Sequence, residues 1–281
     1  MPALPEANRT LVMGILNVTP DSFSDGGRFL DVEQAISHGV ELARSGADVV
    51  DVGGESTRPG AHRVDPSVEV ERVVPVIRAL TERGIAVSVD TMRAGTARAA
   101  VEAGACLVND VSGGLADPGM ADMVASLNTD FVAMHWRAHS PQMDSRDAYD
   151  DVVADVREEL ATRIGALVAA GIDTERIIVD PGLGFSKVGD NNWRLLAHLD
   201  ALQALGHRVL VGASRKRFLG AAIARVEAEA NDPGIRDNAT TAVTALVAQQ
   251  GTWGVRVHNA RAASDAIRVV SAWQNATYPT E

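Results

Sequence analysis

Polar and charged side chains recur in this chain directly after short apolar runs. In order they are Asn17, Glu55-Ser56-Thr57-Arg58, Asp90, Asn109-Asp110, His135, Asp180, Ser214-Arg215-Lys216, and Arg256 with His258. Each alone has a bland reading. Asp90-Thr91 could cap a following helix. Asp110 and Asp180 could tie down loops, His135 could be a satisfied core histidine, and Asn17 could order its own turn. Together they read differently. So many polar groups converging on one place are costly to desolvate unless they bind something.

Charge sorts the set. The cations cluster late, as Arg215, Lys216 and Arg217, then Arg256 and His258. Positions 256 and 258 are two apart on a strand, so both can face one side. A guanidinium and an imidazole there suit a phosphate or pyrophosphate. The competing reading is that Arg256 pairs with an internal carboxylate. Val211-Gly-Ala-Ser-Arg-Lys216 lacks the G-x-x-x-x-G-K-[ST] spacing, so nucleotide hydrolysis is not expected. Asp90 and Asp180 have no cation beside them in the sequence, and such buried carboxylates need donors from a ligand. The N-C-N edge of a planar heterocycle, as in a pterin or guanine-like ring, offers two parallel N–H groups. A metal is the alternative, although no H-E-x-x-H or comparable histidine set points to catalytic zinc.

The elements that position these residues alternate between strand and helix. Short, β-branched runs at 11–16, 48–52, 85–89, 106–108, 131–134, 177–179, 209–211 and 254–257 predict eight parallel strands buried on both faces. Helical patterns lie between them: one capped by Asp31 and ended by Gly46, one opened by Pro66 with a kink or split at Pro75, then 93–103, one starting at Asp117-Pro118, 149–170, 191–205, 217–230, 236–250 and 260–273. Strand-helix alternation means right-handed crossovers and a parallel sheet. Eight units, with no G-x-G-x-x-G turn, favour a closed (β/α)8 TIM barrel over an open doubly wound sheet. The expected division is a tail at 1–10, one barrel over 11–275 and a tail at 276–281.

Composition sets limits. With 281 residues, 46% hydrophobic, the chain suits one large α/β domain. A net charge of −11 argues against nucleic acid or an anionic membrane as partner. Residues 1–10 carry no apolar signal core, and no apolar run approaches the ~18 residues of a membrane span. The single Cys106 reads as a small core residue rather than a nucleophile, and fits a reducing cytosol. The expected location is the cytoplasm.

Ordered motifs cover nearly the whole chain: Gly14-Ile-Leu-Asn-Val-Thr-Pro-Asp-Ser-Phe-Ser-Asp-Gly-Gly27, Asp51-Val-Gly-Gly-Glu-Ser-Thr-Arg-Pro-Gly60, Ser88-Val-Asp-Thr91, Asn109-Asp-Val-Ser-Gly-Gly114, Met134-His135, Asp180-Pro-Gly-Leu-Gly-Phe185, Gly212-Ala-Ser-Arg-Lys216 and Arg256-Val-His258. On these the chain resembles the dihydropteroate synthase family of pterin-binding barrels. The resemblance implies joining of p-aminobenzoate to 6-hydroxymethyl-7,8-dihydropterin diphosphate, by an SN1-like path, with release of pyrophosphate. It implies that Asp90, Asn109, Asp180 and Lys216 hold the pterin, with Met134 and Phe185 shaping the pocket. Arg256 and His258 would hold the diphosphate, and Asn17 would reach it through Mg2+. Phe23 and Asp25 of a first closing loop (19–27), with Thr57, Arg58 and Pro59 of a second, would form the p-aminobenzoate side, where sulfonamides compete in the family. Asp25, Arg58, Asp90, Lys216, Arg256 and His258 would form the catalytic set.

The family forms homodimers through barrel helices. Asn191 and Asn259 depart from the family's frequent His and Asp. A catalytically silent pterin-binding paralogue shares the pterin residues. A pterin-dependent methyltransferase barrel does too, but it needs a corrinoid partner domain that the single-domain reading does not provide.

Overall fold

The computed structural model describes residues 3–19, 28–55, 63–137, 147–225, 232 and 234–277, without the side chains of 28–31 and 277. Eight strands close into one parallel barrel in chain order. They are β1 (Leu11–Asn17), β2 (Val49–Gly53), β3 (Val87–Asp90), β4 (Leu107–Asp110), β5 (Asp130–Met134), β6 (Ile177–Asp180), β7 (Arg208–Val211) and β8 (Gly254–Val257). β8 returns to pair with β1, which leaves no open edge.

Two apolar cores follow from the period-2 alternation of the strands. Outward residues such as Val12, Leu16, Val50, Val52, Val89, Phe131, Val179 and Val255 pack against the helices. Their alternates Met13, Val49, Leu107, Val132, Ile178 and Leu210 fill the barrel interior. Two residues further along the same strands the inward positions are Ile15, Asp51, Asn109, Met134, Asp180 and Gly212. The interior thus turns polar within one pleat repeat. The strands are longer than the apolar runs suggested: Asn17, Asp90, Asn109, Asp110 and Asp180 are strand residues rather than loop residues. The ladder extends because Asn17 pairs in register with Gly53, Gly53 with Asp90, and Asp90 with Asn109.

The helices are α1 (Arg28–Arg44), α2 (Pro66–Thr81), α3 (Ala94–Glu102), α4 (Met120–Leu127), α5 (Val152–Ala169), α6 (Asp190–Ala197), α7 (Leu199–Gln203), α8 (Arg217–Ile223), α9 (Arg236–Gln249) and α10 (Ala260–Thr277). Several differ from the sequence expectation. α1 already runs at Arg28, so Asp31 lies inside it rather than capping it. α2 is capped by Asp65, whose Oδ1 accepts from Ser67 N at 2.8 Å, and continues unbroken through Pro75. α4 begins at Met120, and Asp117 instead bridges two helix starts: its Oδ1 accepts from Gly119 N at 2.9 Å and its Oδ2 from Ala94 N at 2.8 Å. α5 starts only at Val152, capped by Asp151, which leaves Tyr149 in the preceding loop. The segment expected as one helix over 191–205 is two, parted at His198, which is neither Gly nor Pro and gives no local signal of a break. α8 stops at Ile223, and α10 runs on to Thr277. Asn259 caps α10, its Oδ1 accepting from Ala262 N at 3.0 Å.

Candidate functional site

The polar layer lies at the carboxyl ends of the strands, where barrels of this kind carry their sites. Its centre is Arg256. The side chain starts from β8 and reaches past β1 to two carboxylates. Nε donates to Asp51 Oδ2 at 2.6 Å and Nη2 to Asp90 Oδ2 at 2.7 Å. Asp51 Oδ2 also accepts from Asn109 Nδ2 at 3.0 Å. Asp90 therefore does have a cation beside it, contrary to the sequence expectation, and Arg256 does pair with internal carboxylates. One guanidinium faces two acids here, and Asp51 Oδ1 and Asp90 Oδ1 are buried without a partner. Burial opposes the charge of Arg256, but Asp51 and Asp90 raise its pKa, so it stays a cation. Burial pushes the Asp90 carboxyl up to about 7, against the pull of Arg256.

Asp51 was missed as a site residue. Its signal was an acid set between valines within a strand buried at all five positions, Val49-Val-Asp-Val-Gly53. Asp90 does not cap the next helix; Asp117 occupies that role at Ala94.

A second part of the layer is built on β5, β6 and the loop after β7. Asp180 Oδ1 accepts from Gly182 N at 2.7 Å, and burial raises its pKa. The Lys216 Nζ sits 3.8 Å from the centroid of the Phe185 ring. Burial pushes the Lys216 ammonium down to about 7, although Asp180 pulls it up. The stem of Lys216 lies against Gly184, where a Cβ would come within 3.0 Å of its Cδ and the backbone has φ +72°. Met134 is buried beside this wall and pairs in register with Asp180.

Just after β8, His258 is half-buried and its Nδ1 lies 2.9 Å from Ser214 Oγ, while its backbone N–H donates to the same oxygen at 3.2 Å. Ser214 thereby orients the ring. Arg215 does not join the cation cluster. It sits at φ +57° and grips Asp237 on α9 through Nε and Nη2 at 2.6 and 2.8 Å.

Three residues of the sequence set are held by partners within the protein, which for Asp110 and His135 is the bland reading. Asp110 ties its loop by accepting from Ser112 N and Oγ, both at 2.7 Å, and from Gly114 N at 2.9 Å. Glu55 accepts from Val64 N at 2.9 Å and pairs with Arg63 and Arg93. His135 is a satisfied, buried histidine between Glu159 and Lys187. Cys106 is half-buried rather than fully so; its Sγ donates to Val87 O at 3.4 Å, and burial pushes the thiol up to about 11, away from nucleophilic use. Phe23, Asp25, Thr57, Arg58 and Pro59 lie outside the described residues.

The donor set bears on Mg2+. Among the described residues no group of three or more His, Cys, Asp or Glu could hold a metal. Asn17, half-buried at the end of β1, presents its Oδ1 across Gly53 from Asp90: a Cβ at Gly53 would lie 3.7 Å from both Asn17 Oδ1 and Asp90 Oδ2 and fill the space between. A single amide oxygen beside a carboxylate does not make an all-protein cage. It fits an ion that keeps its waters and arrives with a substrate phosphate.

Fold and site together define the class: a (β/α)8 barrel with a small-molecule site at the carboxyl ends of its strands. The chain belongs to the pterin binding enzyme family, which it matches over residues 13–258, and within it to the dihydropteroate synthases. It is 52% identical over 266 residues to the dihydropteroate synthase of Mycobacterium leprae (strain TN), covering 94% of each chain. Among solved structures, the Xanthomonas albilineans dihydropteroate synthase with 4-aminobenzoic acid matches at a TM-score of 0.87 and 46% identity, covering 95% of this chain and 94% of that one. The Xanthomonas albilineans enzyme in complex with 7,8-dihydropteroate matches at 0.84 and 44%, with the same coverage.

Proposed function

We infer that this chain is a dihydropteroate synthase, which condenses 6-hydroxymethyl-7,8-dihydropterin diphosphate with p-aminobenzoate in folate synthesis. The observation that carries the reading is the polar layer in which Asp90, Asn109, Asp180 and Lys216 face one barrel mouth with Arg256 among them.

The residues divide the work. Asp180 and the unpartnered Asp90 Oδ1 accept the pterin's N–H groups. Asn109, held by Asp51, and Lys216, set over Phe185, present donors to the ring's acceptors. Arg256 and His258 draw charge from the diphosphate as it departs. The C–O bond between the pterin CH2 and the diphosphate breaks, and its electron pair leaves with the phosphate oxygen. The electron-rich ring carries the cation. The arylamine lone pair then forms the C–N bond, and its proton passes to solvent. A nearly neutral arylamine needs no strong base. Mg2+ on Asn17 would supply further charge neutralisation on the diphosphate. The carboxylate of Asp25 or Asp90 would stabilise the cation, and Phe23, Asp25, Thr57, Arg58 and Pro59 would receive p-aminobenzoate and exclude water.

The reading extends to a cytoplasmic homodimer open to sulfonamides. Two observations support it. No helix among the described residues is long and apolar enough to cross a membrane. Leu246, Val269 and Trp273 leave large apolar side chains exposed on α9 and α10, which pack side by side.

The purified protein with both substrates and Mg2+ should release pyrophosphate and form dihydropteroate. Binding of the pterin by calorimetry, abolished in Asp180→Ala but with no product from the wild type, would instead support the silent paralogue.

A further inference from the structure

Lys187 is buried at 3% exposure, yet no carboxylate lies within bonding distance of its ammonium among the described residues. Its Nζ instead reaches His135 Nδ1 at 2.9 Å, Phe185 O at 3.0 Å and Gly182 O at 3.2 Å. One ammonium therefore ties both ends of the Gly182-Leu-Gly-Phe185 turn. That turn carries the pterin side of the site. Gly182 N is the donor that fixes Asp180 Oδ1, and the Phe185 ring is the surface on which Lys216 Nζ rests. Gly182 also has φ +66°, and a Cβ there would press on the His135 carbonyl oxygen, so the turn sits hard against the end of β5.

The third donor leads outward. With Lys187 donating to Nδ1, His135 carries its proton on Nε2 and donates to Glu159 Oε2 at 2.9 Å on α5. Arg137 clamps the same carboxylate and stacks 3.8 Å over the Tyr149 ring, whose hydroxyl donates to Ser186 O at 2.9 Å. Among the described residues no side chain of this outer group hydrogen-bonds to Asp90, Asn109, Asp180 or Lys216; His135 meets Asp180 through the backbone alone, its N–H donating to Asp180 O at 2.8 Å.

We propose that Lys187 and His135, anchored by Glu159, form a positioning relay that sets Asp180, Phe185 and Lys216 for the pterin from outside the barrel mouth. The relay rests on the pterin-binding reading of the site. It governs affinity for the dihydropterin and leaves the aminobenzoate side alone, because among the described residues its inward contacts fall on the end of β6 and the turn after it. The geometry also separates the two faces of His135. Asn can offer an amide oxygen near the Nδ1 position and keep an acceptor for Lys187, whereas Leu offers none.

The test uses the full chain with 6-hydroxymethyl-7,8-dihydropterin diphosphate and Mg2+, by calorimetry without p-aminobenzoate and by steady-state kinetics with it. Lys187→Met and His135→Leu should each weaken pterin binding roughly tenfold, as expected for the loss of one charge-assisted hydrogen bond. The KM for p-aminobenzoate should stay within about twofold and kcat within about threefold. His135→Asn should restore most of the affinity lost in His135→Leu. Unchanged pterin affinity in both Lys187→Met and His135→Leu would overturn the relay, as would parallel loss of affinity for both substrates or an Asn variant no better than Leu. If Lys187→Met does not fold, the two His135 variants carry the same comparison. Wild-type turnover separates the two claims: a wild type that binds pterin without turnover refutes the synthase reading, while the calorimetric comparison still decides the relay. A wild type that binds no pterin overturns both.

Discussion

Arg256 Nε and Asp51 Oδ2 lie 2.6 Å apart, and the same oxygen receives Asn109 Nδ2 at 3.0 Å. Through one carboxylate oxygen on β2, Arg256 of β8, proposed to bind the anion, is coupled to Asn109 of β4, proposed to bind the pterin. The second arm of Arg256 reaches Asp90 on β3. The guanidinium fork allows this, because Nε and Nη2 point at two different acceptors from one plane.

Asp51→Ala should leave Arg256 Nε and the Asn109 amide without an acceptor. The loss is expected to be on the order of 2 kcal/mol in transition-state stabilisation, roughly thirtyfold in kcat/KM. Steady-state kinetics on the variant, with circular dichroism to establish folding, checks this. A folded variant with wild-type kcat/KM would show that the Asp51 contact does not position either partner.

Arg256→Lys keeps the charge and loses the fork. A single ammonium cannot hold the Asp51 and Asp90 oxygens in the same geometry, so kcat/KM should fall on the order of tenfold or more although the net charge is unchanged. Titrating pyrophosphate against both proteins separates the two roles of Arg256: weaker binding by the variant places the defect in the anion contact.

Gly182→Ala places a Cβ against the His135 carbonyl at a φ of +66°, where L side chains are strained. The turn must move, and Asp180 and Phe185 move with it. Destabilisation of about 1–3 kcal/mol is expected, with weakened pterin binding. Urea unfolding and calorimetry give the two readings. By contrast Gly206→Ala, at φ +80° with no heavy atom within 4 Å, should cost stability alone and leave pterin binding unchanged.

Burial, and then Lys187, lower the His135 pKa from 6.5 to about 4. Between those values His135 binds fewer protons in the folded protein than in the unfolded chain. The contribution of His135 is therefore complete above pH 6.5 and declines as pH falls toward 4, by up to about 1.4 kcal/mol per pH unit. Asp90 and Asp110, with raised pKa values, act in the opposite sense, so the comparison is made as a difference. The stability advantage of wild type over His135→Asn should shrink between pH 6.5 and 4.5 in urea titrations. A pH-independent difference would contradict the neutral, buried imidazole.

Leu246 is 59% exposed, Val269 67% and Trp273 70%. Val269 and Trp273 stand four apart on α10, hence on one face. The double variant Val269→Glu with Trp273→Glu should convert the proposed dimer to monomer in sedimentation velocity. A wild type that sediments as a monomer would remove the dimer from the reading.

Alternation of apolar runs and helical patterns was enough to yield the barrel, because burial on both faces forces continuous apolar strands and 3.6-residue periodicity marks the helices that cover them. The same logic located Asn17, Asp90, Asn109 and Asp180 at the carboxyl ends, since a barrel turns its strand ends toward one mouth. Local sequence could not show which strand end touches which. Arg256 meets Asp51 and Asp90, 205 and 166 residues away, only because β8 closes onto β1 and brings β2 and β3 within reach of a long side chain. Arg215, which looked equivalent to Lys216 in Ser214-Arg-Lys216, turns to Asp237 instead, for its left-handed backbone points it at α9. Lys187 would pass for a solvated loop lysine, and only the packing of the β6 turn against His135 buries it. Residue types and spacing thus determined the class of fold and the ring of candidates. Partner choice within the ring was decided by barrel closure, because long-range contact depends on register and strand order rather than on neighbours in the chain.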